Sequence, residues 1–232
     1  MTTPSYLGVD IIPNDVCPSV FDQIPALRFT EENSLVDYKF GEKLNQVKYS
    51  YTMSMTIMVN ETACTSMTPA DAVKDCNLIE LEGVFMLYLM GRNTARFHFF
   101  ASKNYHESAS KMIFIPYDQW ITIQINIERF NGYSIVVSDQ NGNAFFRTKK
   151  KQNMQEQYPG EQLRLFRAFD GYVEHFYLTD SFKALNPYFT TDFRNDSEAL
   201  INVIFTKDFY LENGKTFENR GRNSQGFALS GK

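Results

Sequence analysis

Residues 120–138 read WITIQINIERFNGYSIVVS, and this stretch decides the fold class. In Trp120–Glu128, apolar Ile and polar side chains alternate at every second position, which is typical of a β-strand. Asn131-Gly132 is the strongest short signal of a hairpin turn, and Tyr133–Ser138 resumes the strand pattern after it. The stretch predicts two antiparallel strands, with Gly132 as a structural turn residue and Trp120 as a structural core residue.

Strand-like segments recur along the chain at spacings of roughly ten residues, with polar turns between them. In residues 48–59, apolar positions alternate with Ser50, Thr52, Ser54 and Thr56, which predicts a long strand with one buried face. Further segments of this kind are residues 26–29, 35–40, 80–89, 95–101, 111–115 and 144–147. Strands do not alternate with helical patterns, so we expect an all-β fold and no parallel nucleotide-binding sheet.

Length and composition set the class of protein. The chain has 232 residues and 26.9 kDa, which suits one large domain, or one domain with an extension. Its 21 Phe and 13 Tyr favour half-buried β-surfaces, and 43% hydrophobic residues argue against disorder. A net charge of −4 argues against nucleic-acid binding, and the longest apolar run, Val84–Met90, is too short to span a membrane.

The start of the chain and its three cysteines bear on the compartment. No Lys or Arg precedes Arg28, so neither a secretory nor a mitochondrial leader is predicted, and we expect the cytoplasm or an organelle assembly. Cys17, Cys64 and Cys76 do not form a disulfide framework, and free thiols are the expectation. Pairing of Cys64 with Cys76, in an extracellular protein that has lost its signal peptide, is the alternative.

Three stretches together resemble laminin-G-like domains of the concanavalin A type. They are ALRFTEENSLVD at 26–37, the hairpin WITI at 120–123 with NGYSIVV at 131–137, and AFDGYVEHFYLTD at 168–180. They stand in the family's order. The resemblance implies a jelly-roll β-sandwich of two antiparallel sheets, with Gly171 as a structural residue that takes a backbone conformation unfavourable to a Cβ.

The domain boundaries follow from this resemblance. Residues 1–25 are predicted to be an irregular lead-in, and residues 26–185 the laminin-G-like sandwich. Residues 186–232 are predicted to be a C-terminal extension that packs on the sandwich or on a partner. Part of this tail, residues 199–226, also resembles a segment that precedes such domains, so a truncated repeat is the alternative.

Catalytic patterns are sparse in the sequence. Glucanases of this fold need alternating carboxylates on one strand, but only Glu80 and Glu82 alternate here, and a solvated polar face accounts for them. His98 and Trp120 lack the polar ladder of a galectin sugar site, and His106 and His175 stand apart from any nucleophile. We therefore predict a protein that is not an enzyme and needs no cofactor.

Two weaker candidate sites remain. Asp139, Asn141 and Asn143 alternate in a predicted turn and, with Asp170, are weak calcium candidates, although turn chemistry explains them without a metal. A basic cluster of Arg147, Lys149, Lys150 and Lys151, joined in space by Arg164 and Arg167 in one interpretation, suits an acidic partner, while a solvated loop is the plain alternative.

The sequence favours a non-catalytic laminin-G-like binding or scaffolding module, a structural subunit whose partners are other proteins of a larger assembly. Nucleic acid is not an expected partner, and a glycan is a further one. An extracellular carbohydrate-binding lectin is the alternative function, and a glycoside hydrolase is the third and weakest.

Overall fold

Two antiparallel β-sheets face each other across a core of aliphatic and aromatic side chains. The computed structural model describes residues 10–11, 26–29, 36–39, 50–60, 76–91, 93–100, 107–128, 131–151, 162–167, 169–205, 216–217, 219–222 and 227–228. Among these residues no helix is formed, so none is long and apolar enough to cross a membrane.

Sixteen strands are described. In chain order they are β1 (Asp10–Ile11), β2 (Leu27–Phe29), β3 (Val36–Lys39), β4 (Ser50–Val59), β5 (Asn77–Leu81), β6 (Phe85–Gly91), β7 (Thr94–Phe100), β8 (Glu107–Phe114), β9 (Trp120–Glu128), β10 (Gly132–Ser138), β11 (Ala144–Lys150), β12 (Gln162–Leu165), β13 (Gly171–Thr179), β14 (Ile201–Ile204), β15 (Thr216–Phe217) and β16 (Phe227–Ala228).

The first sheet has the order β1-β2-β13-β4-β9-β10-β11, and the second has the order β3-β12-β5-β6-β7-β8. Strand β14 lies beside β13 on the side where β2 ends, and β15 pairs with β16. Every strand pairing that is described is antiparallel. The predicted all-β sandwich of two antiparallel sheets is confirmed.

The core between the sheets explains the aromatic composition. Side chains from both sheets fill it, including Phe29, Phe85, Phe97, Phe166 and Phe176. Phe29 and Phe166 lie with ring centroids 5.0 Å apart, within the range in which tilted aromatic pairs attract each other. Trp120 is buried outside this core, in a smaller cluster with Ala26, Met58 and Tyr172.

The long strand β4 differs from its prediction. Its apolar face lies in the core as expected, but Thr52, Ser54 and Thr56 on the opposite face are also buried. The expectation of one buried face is therefore wrong, because the chain after β13 returns across the outer face of the first sheet. Period-two alternation identifies the two faces of a strand but does not tell whether a later segment covers the polar one.

A bulge in β13 changes which of its side chains reach the core. The pairing with β4 shifts between Val173 and His175, so Glu174 is an extra residue. Before the bulge Val173 faces the core, and after it Phe176 and Leu178 do. Simple alternation along residues 172–179 would have placed Val173 and Phe176 on opposite faces.

Cys76, directly before β5, is buried and disulfide-bonded. The expectation of free thiols is wrong for this residue. Cys17 and Cys64 lie outside the described residues.

Gly171, the first residue of β13, is required by a close approach of two backbone segments. A Cβ at this position would lie 2.2 Å from the carbonyl oxygen of Met58 and 2.6 Å from Cζ of Phe169. Its φ lies outside the left-handed region, in contrast to Gly132, whose φ is 88°. The expectation that its backbone conformation excludes a Cβ is therefore wrong, and steric contact is the reason.

We predict that Gly171→Ala lowers the free energy of unfolding by about 2–3 kcal/mol, since the added carbon must displace strand β4. Urea unfolding of the two proteins measures this difference. The control is Gly142→Asn, where φ is 79° and the nearest atom to a Cβ is 3.7 Å away. Asn tolerates that conformation, so we expect a change of only about 0.5 kcal/mol. Equal midpoints for Gly171→Ala and the parent would contradict the steric account.

Candidate functional site

Residues 181–200, here called the cover segment, lie across the polar outer face of the first sheet. Thr52 Oγ1 donates to the carbonyl oxygen of Ser181 at 2.8 Å and accepts from the backbone N–H of Lys183 at 2.9 Å. Gln124 Nε2 donates to the carbonyl oxygen of Thr191 at 2.6 Å, and its Oε1 accepts from the N–H of that residue. The cover segment is thus bound to β4 and β9 through side chain–backbone hydrogen bonds.

Asn202 in β14 binds the part of the cover segment formed by residues 193–196. Its Nδ2 lies within hydrogen-bond distance of the carbonyl oxygens of Phe193, Arg194 and Asp196, at 3.1, 3.0 and 3.1 Å. Its Oδ1 lies 2.9 Å from Nε2 of His175. One amide side chain therefore joins β13, β14 and the middle of the cover segment.

A buried ion pair holds the same region. Arg194 in the cover segment donates to Oε1 of Glu174 at 2.6 Å, and the Glu174 side chain is fully buried. Glu174 is the bulge residue of β13, and its carbonyl oxygen accepts from the N–H of Phe205. Because an uncompensated buried carboxylate is costly, Arg194 is constrained to stay in place.

A third contact fixes the part of the cover segment next to the groove described below. The ammonium group of Lys183 lies 2.9 Å from Asp196, which also accepts from the hydroxyl of Tyr177 at 2.8 Å. Burial alone would raise the pKa of Asp196, but hydrogen bonds from Lys183 and Tyr177 lower it below its usual range. Burial, together with Asp196, raises the pKa of Tyr177. Asp196 is therefore ionised and Tyr177 neutral near pH 7.

A groove of about 460 Å³ lies between the outer face of strands β9–β11 and residues 182–187. We call it the sheet–cover groove. Its lining is contributed by three strands and one wall: Asn126 and Glu128 from β9, residues 132–136 from β10 with Asn131 before it, Arg147, Thr148 and Lys149 from β11, and Phe182, Ala184, Leu185 and Pro187 from the wall. Its volume is typical of small-ligand sites.

Strand register explains why these side chains converge. Arg147 lies opposite Val136, and Lys149 lies opposite Ser134, so the two cations share the outer face of β11. Arg147 is also placed over the ring of Tyr188 at 5.2 Å from the centroid, a cation–π geometry that orients the guanidinium. Two positive charges therefore border one side of the groove.

The opposite side of the groove carries polar groups. Glu128 ends β9 and accepts a hydrogen bond from the side-chain amide of Asn131. Asn126 Nδ2 donates to the carbonyl oxygen of Lys183 at 2.6 Å, which ties the wall to the sheet. The Oδ1 of Asn126 is buried and has no hydrogen-bond partner, and such an acceptor is uncommon in folded proteins.

The structure divides the predicted basic cluster. Arg147 and Lys149 line the groove, whereas Lys150 and Lys151 are exposed and do not line it. Arg164 does not join the cluster, because it lies in β12 of the second sheet and forms an ion pair with Glu80 at 3.1 Å. Arg167 is also beside the second sheet, because its backbone N–H donates to the carbonyl oxygen of Asn77 in β5. The interpretation that joined Arg164 and Arg167 to the cluster is therefore wrong.

The four candidate calcium ligands do not lie together, because three share one turn and Asp170 lies elsewhere in the sheet. Asp139 Oδ1 accepts the backbone N–H groups of Asn141 and Asn143, at 2.8 and 2.9 Å, as a turn residue does. Asp170 accepts from Asn60 Nδ2 at 2.7 Å and precedes β13, three strand spacings or about 14 Å from β10. Within the described ranges, no group of three His, Cys, Asp or Glu side chains could hold a metal ion.

The candidate catalytic residues have structural contacts. Glu80 is paired with Arg164, and Glu82 lies in the turn after β5. His98 Nε2 lies 2.6 Å from the hydroxyl of Tyr88, and His175 is buried beneath the cover segment. His106 lies outside the described residues.

The groove wall and Asn126 were not predicted from the sequence. The signal in β9 was its polar alternation, in which Gln124, Asn126 and Glu128 share one face. Polar alternation is the same on a solvated strand face and on a covered one, so it did not indicate that residues 182–189 cover this face.

Comparison with known proteins shows a shared fold. No protein-family model and no curated protein matches the chain. The receptor-binding domain of botulinum neurotoxin mosaic serotype C/D is similar with a TM-score of 0.53 and 9% identity, over 75% of this chain and 42% of that one. The binding domain of botulinum neurotoxin serotype D gives a TM-score of 0.50 and 8% identity, over 77% and 44%. The chain spans less than half the length of these neighbours.

We predict that stability falls as the pH is lowered from about 6.5 towards 4. Burial, opposed in part by the hydrogen bond to Asn202, lowers the pKa of His175 to about 4. Between these pH values the unfolded state binds the additional proton, so the free energy of unfolding decreases by roughly 2–3 kcal/mol by pH 4.5. Urea unfolding at pH 7.0 and 4.5 measures this change.

The control for this prediction is His175→Gln, which keeps a polar side chain beside Asn202 but does not titrate. Its stability should change much less between the two pH values. An equal decrease in the variant and the parent would show that other groups cause the acid sensitivity.

Proposed function

We propose that the chain is a non-catalytic, laminin-G-like binding module whose ligand occupies the sheet–cover groove. The observation that carries this proposal is the groove itself, where two cations, two amides and an apolar wall converge on one concave surface. The described part of the chain offers no comparable grouping of a nucleophile, an acid and a base. Of the candidate catalytic residues, Glu80 forms an ion pair with Arg164, and His98 and His175 lie within hydrogen-bond distance of Tyr88 and Asn202.

The laminin-G-like assignment rests on the three ordered sequence stretches, and the two-sheet architecture supports it. Leu27–Phe29 form β2, Trp120–Glu128 and Gly132–Ser138 form the paired strands β9 and β10, and Gly171–Thr179 forms β13, all in the first sheet. The domain boundaries at 25/26 and 185/186 stay predictions. The receptor-binding domains that share the fold suit a binding role, although at this level of identity they carry no ligand over to this chain.

The compartment is part of the proposal. A disulfide at Cys76 is typical of secreted and extracellular proteins, and it favours the extracellular alternative over a reducing cytoplasm. We therefore place the module in an oxidising compartment.

Blocking the groove tests the binding role. Ala184 lines the groove and is exposed, so Ala184→Trp fills the site without a change in the core. We expect the parent protein to bind at least one class of probe on an array of neutral and acidic oligosaccharides and peptides. Ala184→Trp should weaken that binding by about tenfold or more, because ligand and indole compete for one volume.

The matched control is Gln140→Trp, at an exposed position of the β10–β11 turn outside the groove. It adds the same side chain and should bind as the parent does. Absence of binding to every probe, or equal binding by Ala184→Trp and the parent, would contradict the proposed site.

A scaffolding subunit is the second candidate function, and exposed apolar side chains favour it. Met112, Phe114 and Phe145 are each between 43% and 49% exposed, and the rings of Phe114 and Phe145 contact each other across the edges of the two sheets. Exposed apolar clusters often mark protein interfaces. The size of the native protein in an extract tests this role. A bare monomer of 26.9 kDa would contradict it.

A further inference from the structure

We propose that Asn195 carries a covalent N-linked oligosaccharide on its side-chain Nδ2, and that Asn60 stays unmodified. The chain contains two Asn-x-Ser/Thr triplets, Asn60-Glu61-Thr62 and Asn195-Asp196-Ser197. The structure places their two asparagines in opposite surroundings. The proposal goes beyond the groove, and it rests on one part of the proposed function, the oxidising compartment.

The compartment and the triplet support each other. An Asn-x-Ser/Thr triplet is the acceptor motif for sugar chains that are added in the lumen of the secretory pathway. Because so short a motif recurs by chance, it needs an independent observation beside it. The disulfide at Cys76 is that observation, since disulfides form in the same lumen.

Asn195 lies at the tip of a tight turn in the cover segment. The N–H of Asp196 donates to the carbonyl oxygen of Phe193 at 3.1 Å, which closes a turn with Arg194 and Asn195 as its central pair. Asn195 is exposed, and its side chain forms no hydrogen bond or ion pair with the residues that the structure describes. Ser197, the third residue of the triplet, is exposed as well.

The residues before Asn195 point inward and hold the turn in place. Phe193 is buried and stacks on Tyr177, with the ring centroids 4.5 Å apart. Arg194 forms its ion pair with the buried carboxylate of Glu174. Asn195 is therefore presented to solvent by anchored neighbours, and a bulky sugar chain on its Nδ2 displaces no packed group.

Asn60, directly after β4, is bound to the neighbouring strand. Its Nδ2 donates to Oδ1 of Asp170 at 2.7 Å, and its backbone N–H donates to the carbonyl oxygen of the same residue at 3.1 Å. Asp170 precedes Gly171, where β13 and β4 approach too closely for a Cβ. A sugar chain on Asn60 would replace one of the two hydrogens on Nδ2 and add bulk at this approach, so the folded protein carries Asn60 unmodified.

The modification is a group transfer in which atoms and electrons balance. Nδ2 of Asn195 attacks the anomeric carbon of an oligosaccharide that is carried on a lipid pyrophosphate. A carbon–nitrogen bond forms, and the bond from the anomeric carbon to the pyrophosphate oxygen breaks. The lipid pyrophosphate leaves with the electron pair of that bond, and Nδ2 loses one proton. The step needs no oxidant and no reductant.

The sugar chain would leave the proposed binding site unchanged. Asn195 does not belong to the lining of the sheet–cover groove, whose wall ends at Pro187. A chain at this turn occupies the solvent side of the cover segment. A protein partner is therefore excluded from that side, while the groove keeps its lining.

Peptide mapping of the native protein tests the proposal. Peptide N-glycosidase in water labelled with heavy oxygen converts each modified Asn into a labelled Asp, which mass spectrometry identifies. We expect the label at position 195 and an unmodified Asn60. Alkylation before and after reduction, on the same sample, reports whether Cys76 is in a disulfide.

Variants of the full chain, secreted from animal cells, separate the two triplets. Asn195→Gln and Ser197→Ala should each abolish the mobility shift that the glycosidase causes in the parent protein. Ser197→Thr restores an acceptor triplet and should keep the shift. Thr62→Ala is the matched control, since it removes the other triplet, leaves the contacts of Asn60 to Asp170 in place and should not alter the shift. Circular dichroism checks that each variant is folded.

Each contrary outcome has a distinct meaning. An unmodified Asn195 in native protein whose Cys76 is disulfide-bonded overturns the proposal and leaves the oxidising compartment intact. An unmodified Asn195 together with a free Cys76 thiol overturns both. A sugar chain on Asn60 at the same occupancy as on Asn195 overturns the structural account of which triplet is used.

Discussion

The burial of polar side chains on the outer face of β4, β9 and β14 is the constraint on which the rest of this structure depends. Thr52, Gln124 and Asn202 are each almost fully buried, and each satisfies backbone groups of the chain that returns over them. A buried polar group without a partner costs about 1–3 kcal/mol, whereas a satisfied one is close to neutral or favourable. The cover segment is therefore an integral layer of the fold, because the strand face and the backbone of the segment satisfy each other's hydrogen bonds away from water.

The groove is a consequence of how that layer ends. The cover segment is bound to β9 where Asn126 donates to the carbonyl oxygen of Lys183, and to the start of β11 where the N–H of Ala144 donates to the carbonyl oxygen of Tyr188. The residues between these two contacts include Ala184, Leu185 and Pro187 of the groove wall. The wall is thus positioned by buried contacts, while the face it borders carries exposed cations. A rigid wall beside a strand face with fixed register is a favourable basis for recognition, because little order has to be gained when a ligand binds.

Part of the candidate site could be predicted from the sequence. The basic residues of β11 stood out as a charge cluster, and period two on a strand separates Arg147 and Lys149 from Lys150. What those two residues face was not predictable, since Tyr188 and the groove wall arrive from about forty residues further along the chain. Arg164 shows the same limit, because its basic character indicated a shared patch and its strand order placed it beside Glu80 in the other sheet.

The sequence by itself determined the all-β class, the main strands and the β9–β10 hairpin, because these follow from local alternation and from turn residues such as Asn131-Gly132. It also determined that Gly171 matters. Only the tertiary structure decided why, since the obstacle to a Cβ is the carbonyl oxygen of Met58 on a neighbouring strand. The bulge at Glu174, the cover over the polar face and the groove were likewise decided by contacts between segments far apart in the chain. Local periodicity encodes which side chains share a face, but the neighbour that covers each face is fixed only when the sheets assemble.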